Sequence, residues 1–214
     1  MLLIASIQHT GTWFIIDLIE KLTGERVMLV ENALKELMDF DILHTHITTI
    51  NYGLGNKKLS HMPFKILDTM IHAHKTIIHV RHPLLSIITR ENRHPELNHY
   101  YIIEAFNYIS TLTGNNIFFF PIDLYDNFSD RHRLLNDLCS FLSVKPEKSF
   151  KMKFTSKWKI KNSAADVTGL KHKFIKGDYK SIRKRLKEEC FFLENRPEIH
   201  KFLKKLGYSN LIWQ

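Results

Sequence analysis

The chain has 214 residues, 44% hydrophobic and 25% charged, which is enough apolar material for one compact domain over 1–214 and too much for a disordered chain. A net charge of +9, with 13 histidines counted neutral, turns it toward anionic partners: nucleic acid, an acidic membrane face or a multiply phosphorylated nucleotide. The apolar start MLLIASI is too short for a membrane span of roughly 18 residues and lacks the basic start and cleavage site of a secretory signal.

Residues 2–7 read as a buried strand that ends in a polar loop. Residues 12–22 read as a helix with Phe14, Ile15, Leu18, Ile19 and Leu22 on its apolar side, and Gly24 follows as a stop signal. An amphipathic segment near 32–38 precedes an alternating stretch at 42–50, and the polar turn at 51–58 holds two glycines. A helix is expected near 63–72, followed by a strand rich in β-branched residues at 76–80. After Pro83 the chain turns helical to about residue 90, and 96–112 is a long amphipathic helix closed by Asn115 and Asn116. Residues 117–120 form an apolar strand and 131–142 a further helix; 145–173 are basic and irregular, and the chain is helical again from Ser181 to the tail. Cys139 and Cys190 each lie in an apolar stretch, which suits two buried thiols in a reducing compartment, with a single disulfide as the alternative. Strands alternating with helices imply an α/β fold, a three-layer α/β/α sandwich with a central mostly parallel sheet, and ligands beyond the carboxyl ends of its strands.

Two strand ends carry anion-binding chemistry. The first strand runs through Gln8, His9 and Thr10 into Gly11 and the helix starting at Thr12. A glycine there lets the backbone approach a ligand, the helix start offers unpaired N–H groups at a positive dipole end, and Thr10 and Thr12 add hydroxyls. The alternative is a tight strand-to-helix turn with a hydroxyl cap. A nucleoside-triphosphate loop would need G-x-x-x-x-G-K-[ST], and that string is absent. The second site is Arg81, just past a strand and followed by His82 and Pro83, with Ser86 and Thr89 on the next helix. A guanidinium there can fork onto a phosphate and a helical hydroxyl can complete the contact; the alternative is a pair with a surface carboxylate.

The run Gln8-His9-Thr10-Gly11-Thr12-Trp13-Phe14 resembles the 5′-phosphosulfate loop of sulfotransferases, Pro-Lys/Arg-x-Gly-Thr-Thr-Trp, with His9 in place of the basic residue and Phe14 at the adenine-stacking tryptophan. Arg81-His82-Pro83, with Thr89 at the serine position and Ser86 as a spare hydroxyl, resembles the family's 3′-phosphate motif. His172-Lys173-Phe174-Ile175-Lys176-Gly177-Asp178-Tyr179-Lys180 is similar to its Arg-Lys-Gly-x-x-Gly-Asp-Trp-Lys clamp, in which Lys173 closes over the 3′-phosphate; without the resemblance this is a solvated basic face. Ser60-His61-Met62-Pro63 resembles Thr-His-Leu-Pro, which carries the family's general base, and His44-Thr45-His46-Ile47 is a competing match farther upstream. The family often has a lysine two residues before that base, where Leu59 precedes His61 by two. Ile122-Asp123-Leu124 is similar to the Tyr-Glu-Asp-Leu strand end, with Tyr125 a candidate substitute for the adenine-contacting tyrosine. Thr155-Ser156 resembles a further nucleotide contact.

The resemblance implies a P-loop-NTPase-like fold and transfer of a sulfuryl group from 3′-phosphoadenosine-5′-phosphosulfate (PAPS) to a small-molecule or glycan acceptor. The product is 3′-phosphoadenosine-5′-phosphate (PAP). On this reading His61, or else His46, takes the acceptor proton, and His9 steadies charge on the leaving phosphate. The nucleotide would be held by His9, Thr10, Gly11, Thr12, Trp13, Phe14, Arg81, Ser86, Thr89, Lys173, Lys176 and Gly177. No metal is expected: the family uses none, and His44 with His46 is the one tempting pair. A cytoplasmic protein without a membrane span or nucleic-acid partner follows. The rivals are a nucleotide or small-molecule kinase, disfavoured by the missing lysine of the triphosphate loop, and a basic nucleic-acid-binding module drawing on residues 151–187.

Overall fold

The computed structural model describes residues 1–7, 11–30, 41–47, 64–91, 100–126, 128–145, 184 and 186–208. Among these, five parallel strands form one sheet in the order β2-β3-β1-β4-β5: β1 Leu2–Ser6, β2 Val27–Leu29, β3 Ile42–His46, β4 Lys75–Val80 and β5 Ile117–Pro121. The helices are α1 Thr12–Thr23, α2 Phe64–Ala73, α3 Pro83–Glu91, α4 Tyr100–Thr111, α5 Phe128–Leu142, α6 Lys187–Glu194 and α7 Pro197–Lys205. A 3₁₀ turn, Ile122–Asp126, follows β5 directly.

Two apolar clusters cover the two faces of the sheet, giving the three layers expected. Ile4, Ile42, Ile77 and Phe120 pack with α1 and α5, through residues such as Ile15, Ile19, Leu134 and Leu138. Leu3, Leu43, Ile78 and Val80 pack with α2, α3, α4, α6 and α7 on the other side. The period of two along a strand divides these residues between the layers.

Several expectations shift. Within the alternating stretch at 42–50, Ile42, Leu43, His44 and Thr45 are all buried, because helices cover both faces of a parallel sheet. β2 is a three-residue edge strand that composition does not announce. The C-terminal helical region divides at Asn195 and Arg196, where Pro197 opens α7. Cys139 and Cys190 are buried thiols, and no disulfide forms among the described residues. No helix among these residues is long and apolar enough to cross a membrane.

Candidate functional site

β1 is buried along its length and leads to Gly11, which caps α1 in the left-handed region at φ 89°, ψ 40°. Phe14 N–H bonds back to the Gly11 carbonyl at 2.9 Å, and among the described residues no side-chain oxygen caps the positive end of the α1 dipole. A Cβ at Gly11 would stand 3.0 Å from Ile122 Cδ1 and 3.8 Å from His79 Cε1. Gly11→Ala should therefore destabilise the fold by about 1–2 kcal/mol through left-handed backbone strain, read as a lowered urea midpoint at unchanged slope.

At the strand ends, Ser6 of β1 lies in register with His46 of β3 and His79 of β4. The Ser6 hydroxyl and His44 Nε2 share a hydrogen bond of 3.0 Å, and the rings of His44 and His46 meet edge to face at 5.0 Å. His79 is fully buried, with its ring 6.0 Å from that of Phe120. Burial first, and then the nearby charges of Arg81 and His46, lower its pKa from 6.5 to about 3. The sequence reading singled out His44 and His46 of this polar row under the glycine turn and missed Ser6 and His79.

Arg81 follows β4 and is buried. Its Nη1 donates to Thr89 Oγ1 at 2.7 Å, and Thr89 Oγ1 donates to the Leu85 carbonyl at 2.8 Å. The predicted pair is thus brought together across the first turns of α3. The alternative pairing is also present in altered form: Arg81 Nε donates to Asp123 Oδ1 at 3.4 Å, and this carboxylate is interior, not on the surface. Asp123 Oδ2 accepts the His82 N–H at 2.6 Å and the Tyr208 hydroxyl at 3.1 Å. Burial raises the Asp123 pKa, opposed by Arg81 and by these donors. His82 Nδ1 accepts the Leu84 N–H at 3.2 Å, and burial, then Arg81, lowers the His82 pKa to about 3. Ser86 is fully buried and its hydroxyl has no hydrogen-bond partner among the described residues; Thr89, not Ser86, meets the guanidinium.

The aromatic expectation changes. Phe14 is 3% exposed and its ring lies 5.0 Å from Tyr125, edge to face, and 6.4 Å from Phe120. An adenine platform needs an open ring face. Phe14 shares the core stripe of Ile15, Leu18 and Ile19 and has none, while Trp13, 36% exposed, is the aromatic of this turn that meets solvent. Tyr125 is equally interior: burial, partly opposed by Arg131, pushes its hydroxyl up to about 12. Thr12 is half-buried at the helix start.

His9, Thr10, His61, Lys173, Lys176, Gly177 and the Thr155-Ser156 pair lie outside the described residues. Among the described residues no group of three His, Cys, Asp or Glu is arranged to hold a metal ion.

The crystal structure of mouse sulfotransferase SULT7A1 complexed with PAP is similar to this chain over 97% of its length and 88% of that chain's, with a TM-score of 0.57 and 14% sequence identity. The fold is sulfotransferase-like. No protein-family model and no curated protein sequence matches the chain. On a sulfotransferase-like sheet, the glycine turn and the Arg81–Thr89 pair close two neighbouring strands, β1 and β4.

Proposed function

We propose that this protein is a sulfotransferase that takes the sulfuryl group of PAPS and passes it, by in-line displacement, to a hydroxyl or amine of a small-molecule or glycan acceptor. The observation that carries this reading is the Arg81–Thr89 hydrogen bond of 2.7 Å at the end of β4, beside the glycine turn that follows β1. A cationic fork and a helix start on adjacent strand ends suit the two charged ends of one adenosine 3′,5′-bisphosphate. The residues present fit such a nucleotide: Gly11, at φ 89°, makes the left-handed turn that opens α1, and Thr89 orients the guanidinium.

Bound, PAPS supplies the sulfuryl group and a phosphate leaving group. Gly11, Thr12 and the start of α1, with His9 and Thr10 ahead of them, hold the 5′ end and stabilise charge that develops there. Arg81 and Thr89 hold the 3′-phosphate, resemblance assigns Lys173 to the same end, and Lys176 and Gly177 belong to the same nucleotide-binding element. Trp13 is the aromatic offered to the adenine. His46 takes the acceptor proton: β3 carries it to the strand-end row next to Ser6, whereas His61 enters only by motif. His44, two residues earlier on the same face of β3, stands where the family often has a lysine.

Calorimetry with PAP and with 5′-AMP tests the reading. Charge-assisted bonds to the 3′-phosphate should make PAP bind about 10–150-fold tighter than AMP, and Arg81→Lys, which keeps charge but loses the fork, should remove most of that preference. Labelled PAPS with an acceptor panel should then show turnover. Equal affinities for the two nucleotides reject the assignment; magnesium-dependent ATP binding in their place would restore the kinase.

A further inference from the structure

Asp123 gathers three donors from two parts of the chain: Arg81 Nε and the His82 backbone N–H after β4, and the Tyr208 hydroxyl 85 residues downstream. All three residues, and Asp123 itself, are buried. The guanidinium is therefore fixed at two of its nitrogens, Nε toward Asp123 and Nη1 toward Thr89. A long, flexible arginine chain held at two points has lost its rotamer freedom before any anion arrives, so an anion pays less ordering entropy on binding.

Tyr208 is delivered to this place by local geometry. α7 ends in a Schellman motif: Tyr208 N–H bonds to the Leu203 carbonyl and Gly207 N–H to the Lys204 carbonyl, both at 3.0 Å. Gly207 takes φ 93°, and a Cβ there would stand 3.0 Å from Leu124 Cδ1 of the 3₁₀ turn, so the C-terminal turn approaches Asp123 closely because glycine has no side chain. Ile199, Phe202 and Leu203 anchor α7 in the core. The Tyr208 ring also meets His82 edge to face at 5.7 Å, bracing the residue next to Arg81.

We infer that Asp123 and Tyr208 are positioning residues for Arg81: the C-terminal turn, through the Tyr208 hydroxyl and the Asp123 carboxylate, sets the angle at which the guanidinium receives the 3′-phosphate. This rests on the nucleotide reading above. The alternative is a carboxylate that only neutralises Arg81 and weakens anion binding, and it predicts the opposite sign on removal.

The test is calorimetry of the full chain with PAP and with 5′-AMP for wild type, Tyr208→Phe and Asp123→Asn, with melting temperature as the check on folding. Tyr208→Phe keeps the ring and removes the hydroxyl, which donates to Asp123 at 3.1 Å and lies 3.5 Å from the Val80 carbonyl; the PAP-to-AMP affinity ratio should fall about three- to tenfold while AMP affinity holds, and Asp123→Asn should lower the ratio further. A structural role alone weakens both ligands together and leaves the ratio in place. A ratio within twofold of wild type, or a higher one, in folded Tyr208→Phe overturns the positioning role. Because this variant is the milder, it decides the matter even if Asp123→Asn does not fold. A wild type without preference for PAP overturns the nucleotide reading itself, and this inference with it.

Discussion

His46→Gln is expected to lower kcat with labelled PAPS and a working acceptor by about 10²–10⁴-fold, the usual contribution of a positioned general base. Binding of PAP should be unchanged. Glutamine matches much of the volume of the imidazole and can hydrogen-bond, but it cannot take up a proton at neutral pH. The argument for His46 is one of placement. β3 pairs in parallel with β1 through Ser6↔His46, so the residue ends its strand alongside the one that runs into the glycine turn. It is only half-buried, while His44 behind it is closed in and bonded to Ser6. His61→Gln is the paired measurement. Loss of turnover there, with His46→Gln active, would hand the role to His61; a loss of melting temperature in His46→Gln equal to that of a core deletion would make its ring structural.

Acid should unfold this protein early. His79 and His82 have folded pKa values lowered from 6.5 to about 3, because burial disfavours the imidazolium and Arg81 adds like charge. The unfolded chain therefore takes up protons from pH 6.5 downward that the folded chain refuses until near 3. Stability from these two groups is complete above 6.5 and is lost as pH falls toward 3, at up to about 1.4 kcal/mol per pH unit for each histidine. Asp123 works the other way: burial raises its pKa above 3.8, so its protonation on acidification favours the folded state and partly offsets the slope just above that value. For a domain of ordinary stability the midpoint should fall at roughly pH 4–5. Urea titrations from pH 7 to 4 give the slope directly, and His82→Gln should cut it by about half. Protonating His82 also breaks its bond from the Leu84 N–H, since Nδ1 is the acceptor there. A slope unchanged in that variant would show that the ring is readily charged in the folded state.

The ladder of elements was largely legible because its physics is local. The apolar stripe from Phe14 to Ile19 places α1, Gly24 ends it with φ 76°, and the β-branched run before Arg81 places β4. The Arg81–Thr89 pair was legible too, since eight residues along one helix start is a short-range relation. Phe14 shows two local readings in conflict. Motif spacing put it at the adenine-stacking position, while the helical period put it on the apolar side of α1, and its ring packs inward against Tyr125 and Phe120. β2 was missed because three residues carry no measurable period.

Taken by itself, the sequence determined the order of the strands and helices other than β2, the glycine turn after the first strand, and the arginine with its hydroxyl at a later strand end. These depend on propensity, periodicity and spacing within about ten residues. Only the tertiary structure decided that β1 and β4 are neighbours, that His79 lies under Gly11, and that Asp123 joins Arg81 across 42 positions and Tyr208 across 85. Such contacts arise when packing the two sheet faces brings distant polar groups into one dry interior, where each must find a partner. Nothing in the local pattern of a single aspartate or tyrosine announces which partner that will be.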